Sequence, residues 1–158
     1  MADFIYRKGT FADCRQVFRL ICEMEQRELP YDSFMKIFRK QSLSDSYACL
    51  VCSLDEKVIG VLNLRFEEQL HHSARIAEVM EFAILPDYRK KGVGKEMLTK
   101  ACKLAKEFGC IQIEAACNQL RTDTHRFYAC KGMHNFHFKF SMLLTGNDTA
   151  ENEIGMYI

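Results

Sequence analysis

The segment Arg89-Lys90-Lys91-Gly92-Val93-Gly94-Lys95 gathers positive charge and two glycines where an apolar run, Ile76 to Leu85, gives way to a helical pattern. Glycines let the main chain come close to a ligand. The first amides of a helix have no partner within it and point outward along the positive end of its dipole. Together these features make a cradle for a pyrophosphate. The segment lacks the Gly-Lys-Ser/Thr ending of a Walker A loop and is not a complete G-x-G-x-x-G fingerprint. Just upstream stand two carboxylates, Glu78 and Glu81. Three residues apart, they face opposite sides of an ideal strand, an argument that a bulge would overturn.

These groups need a scaffold, and the apolar pattern supplies one. Residues 3 to 8 alternate as a first strand. Gly9-Thr10 reads as a turn and cap, and residues 11 to 25 carry Val17, Phe18, Leu20 and Ile21 at helical spacing. Pro30 ends that helix, and a shorter one is expected over 31 to 40. Residues 47–54 and 58–66 form a hairpin around Asp55-Glu56-Lys57, and a polar loop over 67–73 leads to the central strand, 76–85. A helix follows on Val93, Met97, Leu98, Ala101, Leu104, Ala105 and Phe108, closed by Gly109. A strand over 111–116 lies parallel to the central one through a right-handed crossover. A short helix is expected over 122–130 and a last long strand over 136–144. Residues 145–158 form a polar tail in which 153–158 is a candidate edge strand. The expected architecture is α/β, a mixed, mostly antiparallel sheet with flanking helices, in one domain over residues 1–144.

At 158 residues, 48% hydrophobic and 27% charged, the chain has the composition of a globular domain and excludes disorder and collagen-like structure. A net charge of +1 gives no global field for nucleic acid or anionic membrane. No apolar run approaches the roughly 20 residues of a membrane span, and the first residues lack a signal-peptide core, so a cytoplasmic location is expected. Eight cysteines scattered through core-like segments read as reduced, buried thiols. Cys49-x-x-Cys52 has zinc-like spacing, but a strand would turn its sulfurs to opposite faces.

Arg89-x-x-Gly92-x-Gly94 after a strand, Asn118 beyond the next strand, and Phe127-Tyr128 ahead of Gly132 resemble the GCN5-related N-acetyltransferase superfamily over roughly residues 3 to 144. The resemblance implies splayed central strands, and acetyl-CoA held by Arg89, Lys90, Gly92, Val93, Gly94 and Lys95. It also implies main-chain groups of Phe82 and Ile84 along the pantetheine and the acetyl oxygen, with Asn118 and Tyr128 completing the cofactor site. Tyr128 takes the family position of the general acid towards the CoA thiolate. Glu78, six residues before Ile84, takes that of the base which removes the amine proton, with Glu81 its rival. The closer resemblance is to aminoalkylphosphonate N-acetyltransferases. It rests on Leu70-His71-His72, Glu78 and Glu81, Arg121-x-Asp123-x-His125-Arg126-Phe127-Tyr128, and His137-Phe138-x-Phe140.

That resemblance implies a small primary amine bearing a phosphonate. Arg121, Arg126 and Lys139 would meet its anion, and His72, Glu81, Asp123 and Arg126 would line the acceptor site. Members of the family have been associated with a divalent metal, so an ion is a further expectation, with Asp123, Glu78 or His72 as candidates to hold it or the ammonium. Direct transfer is expected, since Cys117 and Cys130 have no partnered His or Asp. Other amines and a non-catalytic acyl-CoA sensor are the alternatives, and a homodimer is the expected assembly.

Overall fold

Alternating and continuous apolar runs build a sheet in the order β1 (Ile5–Lys8), β2 (Tyr47–Leu54), β3 (Lys57–Gln69), β4 (Ala74–Ile84) and β5 (Cys110–Ala115). The first three junctions are antiparallel, and β4 and β5 pair parallel. The computed structural model describes residues 3–145, which divide into two units between Ala115 and Ala116. The sheet and the helices α1 (Cys14–Glu25), α2 (Tyr31–Ser42) and α3 (Val93–Glu107) belong to the first unit. Helix α4 (Thr122–Cys130) belongs to the second.

The helices attach where the sequence leaves apolar stripes. On one face of the sheet, Val17, Leu20 and Ile21 of α1 pack with Val51, Val61 and Ala83, and Phe34 and Phe38 of α2 extend this cluster. Phe18 sets its ring edge-on to Tyr31 and Phe34 at 4.9 and 5.2 Å, which locks α1 to α2. Fully burying each of these aliphatic or aromatic side chains contributes roughly 1.5–3 kcal/mol. Helix α3 covers the opposite face. A Cβ built on Gly60 of β3 would stand 2.9 Å from the Met97 sulfur and 3.5 Å from Cys52 and Ile84, so the missing side chain lets α3 seat on the sheet.

At the entrance to α1, Arg7 makes two bonds to Asp13, 2.8 and 2.7 Å, and the Thr10 amide donates to the same carboxylate at 2.8 Å. Asp13 is only 5% exposed, and these donors, the Arg7 guanidinium first, hold its carboxyl below its ordinary range. The hairpin between β2 and β3 turns on Asp55 and Glu56 alone, both with positive φ.

Three expectations need correction. Strand β3 runs to Gln69 rather than ending near residue 66, because Glu67, Glu68 and Gln69 pair with Ile76, Arg75 and Ala74 despite their polarity. Among the described residues, 136–144 form no strand; a period of two marks a face, but a strand needs a partner's ladder. Phe136, Phe138, Phe140, Met142 and Leu144 are exposed there. The segment 11–13 is a 3-10 turn before α1 proper. The candidate edge strand over 153–158 lies outside the described residues. No helix among the described residues is long and apolar enough to cross a membrane.

Candidate active site

In the pairing of β3 with β4, Arg65 stands opposite Glu78, Leu64 opposite Val79, and Asn63 opposite Glu81. Met80 is thus an extra residue, a bulge that reverses the side-chain alternation after it. Asn63 and Arg65, two apart on β3, share a face, so their partners Glu81 and Glu78 share it too. This is the face covered by α1 and α2, since Ala83, two residues beyond Glu81, lies in their core cluster.

The two carboxylates meet different neighbours. Glu78 accepts a 2.7 Å bond from Arg65, which also reaches Glu67 at 3.3 Å. Glu81 accepts from the Asn63 amide at 2.9 Å, and the same Asn63 nitrogen donates to Gln41 of α2 at 2.9 Å. No Lys, Arg or His forms an ion pair with Glu81 among the described residues. Burial pushes the Glu81 carboxyl above its ordinary value. The Asn63 bond opposes that rise, and the nearby Glu25 adds to it. Asn63, Arg65 and Gln41 were not among the candidates read from the sequence. The signal was two polar residues spaced by two inside the apolar run of β3.

Pairing of β4 with β5 extends from Arg75 to Val79, and β4 continues to Ile84. The Leu85 amide donates to the Ile59 carbonyl at 2.9 Å. By antiparallel alternation from that bond, Phe82 and Ile84 turn their N–H and C=O groups to the edge away from β3. The Ile84 carbonyl there accepts from the Arg89 side chain at 2.8 Å. Arg89 also lies 3.6 Å from Glu23, so its guanidinium ties the loop to the strand end and to α1.

Lys90 (φ 60°) and Gly92 (φ 84°) then turn the chain into α3. A Cβ built on Gly92 meets no atom within 4 Å, so glycine serves the conformation there and the space above it is open. The first amide to close a helical bond is that of Glu96, to the Gly92 carbonyl at 3.1 Å. The amides of Val93, Gly94 and Lys95 are therefore the orphan donors of the helix start. Lys90, Lys91 and Lys95 are exposed beside them.

In the second unit, Asn118 organises the approach to α4. Its carbonyl accepts from His125 Nε2 at 2.7 Å and from the Arg121 amide at 3.0 Å, and its side chain accepts from the Leu120 amide at 2.8 Å. His125 is thereby a hydrogen-bonded helix histidine. Tyr128 is half-buried with its ring 5.5 Å from Phe127, and burial pushes its phenol up to about 12. Cys117 raises it further and Arg121 opposes. Asp123 and Arg126 are exposed and pair with each other at 3.2 Å.

His72 bonds Gln69 through Nδ1 at 2.7 Å at the tip of the β3–β4 hairpin. Ala74 to Glu78 alone spans about 13 Å at the rise of a strand, so His72 is not gathered with the two carboxylates. Among the described residues no three His, Cys, Asp or Glu side chains cluster as a metal site. All eight cysteines are free thiols. Cys49 and Cys52 pair with Asn63 and Gly60, on opposite faces, and burial pushes the Cys49 thiol up to about 12. Burial also raises Cys117, which leaves it a poor nucleophile.

Residues 12–133 match the model of the acetyltransferase (GNAT) family. The chain belongs to that family. Its mixed sheet and flanking helices are those of GNAT acetyltransferases, and it is an acetyl-CoA-dependent N-acetyltransferase. It is 32% identical over 138 residues to an aminoalkylphosphonate N-acetyltransferase of Salmonella typhimurium, covering 87% of this chain and 90% of the relative. The fold is shared with an aminoglycoside N-acetyltransferase in complex with CoA, at a TM-score of 0.83 and 14% identity over 92% of this GNAT chain and 97% of the other. It is shared as well with a transcriptional regulator from Bacillus halodurans, at a TM-score of 0.82 and 22% identity over 90% of this chain and 100% of the other.

Proposed function

We propose that this acetyltransferase acetylates a small primary amine bearing a phosphonate, by direct transfer from acetyl-CoA. The observation that carries the reading is the 32% identity to an aminoalkylphosphonate N-acetyltransferase along most of both chains. The residues present fit the cofactor. The amides of Val93, Gly94 and Lys95, the open turn at Gly92 and the charges of Lys90 and Lys95 suit a pyrophosphate. Arg89 shapes that turn through Ile84. The edge of β4 away from β3, to which Phe82 and Ile84 turn their main-chain groups, is the side along which a pantetheine chain would run, and an amide there would stabilise the oxyanion formed on acyl transfer. Asn118 completes the cofactor contacts.

Tyr128 keeps its proton at any physiological pH and serves as hydrogen-bond or proton donor to the departing sulfur. Arg121, Arg126 and Lys139 supply charge for the phosphonate, with Asp123 and Glu81 as further acceptor contacts, while His72 at the hairpin tip lies too far along the strand from Glu81 to share them. Raised cysteine thiols support transfer without an acetyl-cysteine.

The test is CoA release against aminomethyl- and aminoethylphosphonate, the same amines without the phosphonate, a polyamine and an aminoglycoside. Each is run with and without a chelator. The reading expects kcat/KM at least tenfold higher for the phosphonates than for the plain amines. Binding of acetyl-CoA without phosphonate turnover overturns it, and the chelator arm decides whether a divalent ion takes part.

A further inference from the structure

An acceptor amine arrives as an ammonium, because alkylamines titrate near 10, and it attacks only after losing a proton. The face that carries Glu78 and Glu81 therefore has to supply an acceptor for that proton. The pairing of β3 with β4 sorts the two carboxylates. Glu78 is engaged by a guanidinium at 2.7 Å, so its charge is already answered within the sheet. Glu81 is fixed through one oxygen, Oε2, by the Asn63 amide, while Asn63 is anchored by Gln41 on α2. Its other oxygen, Oε1, has no hydrogen-bond partner among the described residues.

We infer that Glu81 is the catalytic base of this acetyltransferase, with Asn63 and Gln41 as positioning residues and with Glu78 held by Arg65 beside it. The inference rests on the amine-acetyltransferase reading but not on the phosphonate. Oε1 of Glu81 takes one proton from the ammonium, and the amine nitrogen bonds to the acetyl carbon. The carbon–sulfur bond breaks, the thiolate takes up the second proton, which the acylated nitrogen loses as it becomes an amide, and Glu81 returns its own to water. The charged and titratable groups around Glu81 are Glu25 from α1, Cys49 from β2, Arg65 from β3 and Glu78 from β4 itself. The Met80 bulge is what makes the assignment possible, since a regular strand would carry Glu81 to the side of α3.

The experiment is the pH profile of kcat/KM for the wild-type chain, Glu81→Gln, Glu78→Gln and Asn63→Leu, with whichever amine of the panel the wild type turns over best. Glu81→Gln is expected to lower kcat about 100-fold or more and to abolish the acidic limb, with activity recovering as the pH approaches the pKa of the free amine. Glu78→Gln is expected to keep the limb. Asn63→Leu removes a bond that favours the charged carboxylate and moves the limb to higher pH, a shift that a merely structural Asn63 would not give.

A limb that survives Glu81→Gln and disappears in Glu78→Gln overturns the assignment. So does a wild type that turns over no amine at all. If only amines without a phosphonate react, the substrate reading fails and the same profiles still decide the base.

Discussion

Glu78 and Glu81 look out from one side of the central strand although three residues separate them, because Met80 is an extra residue in β4. The strand thus presents two carboxylates side by side, one beside Arg65 and one beside Asn63.

The position of Glu81 carries a stability cost. Its folded-state pKa lies above the unfolded one, so the folded chain is penalised at pH above both values and the penalty vanishes below the unfolded pKa. Glu81→Gln is therefore expected to raise the melting temperature at pH 8 by roughly 2–4 °C, on the order of 1 kcal/mol, and to lose that advantage near pH 4. Thermal unfolding at the two pH values checks it.

Asp13 behaves in the opposite sense. Arg7 and the Thr10 amide lower its pKa, so its stabilisation is present above the unfolded value, near 3.9, and is lost as the pH falls through the folded one. Asp13→Asn should cost about 1–3 kcal/mol in urea unfolding at pH 7, allowing for a half-exposed Arg7. The deficit should shrink steadily on acidification.

Gly92 separates conformation from space. With φ at 84° and no atom within 4 Å of the point where a methyl would stand, Gly92→Ala meets no clash, only the strain of a left-handed residue, about 1 kcal/mol. Its larger expected effect is a rise in KM for acetyl-CoA, with kcat for saturated enzyme little changed. Steady-state kinetics with varied acetyl-CoA measures both.

Burial pushes the Tyr128 phenol up to about 12, so it should impose no basic limb on the rate below about pH 10. Tyr128→Phe is expected to lower kcat about 100-fold while leaving the acidic limb in place, because the proton it donates and the proton the base removes are different. A pH profile of the variant from about 6 to 10 gives the result.

The framework was readable from periodicity. Apolar stripes at helical spacing placed α1 and α3, and the glycine pair after the central strand marked the turn into α3, because these depend on local backbone rules. Much of the site was not readable. The Met80 bulge arises from pairing across β3, so no count along β4 alone reveals that Glu81 and Glu78 share a side. The Arg65–Glu78 contact likewise needs the register of two strands. The alternation over 136–144 identified a face without the neighbour that a strand requires, and the polar end of β3 hid a ladder that side-chain pattern does not report.

Gly60 sits opposite Ile84 in the ladder and directly beneath Met97 of α3. That one vacancy therefore works as a spacer of zero thickness between the strand end and the helix whose first turn is the proposed cradle. Filling it by a single methyl would press first on the Met97 sulfur, which must give way before anything else is touched. Residue 60 thus works like the bare floor of a socket, setting how deeply the Met97 side chain sinks into the sheet.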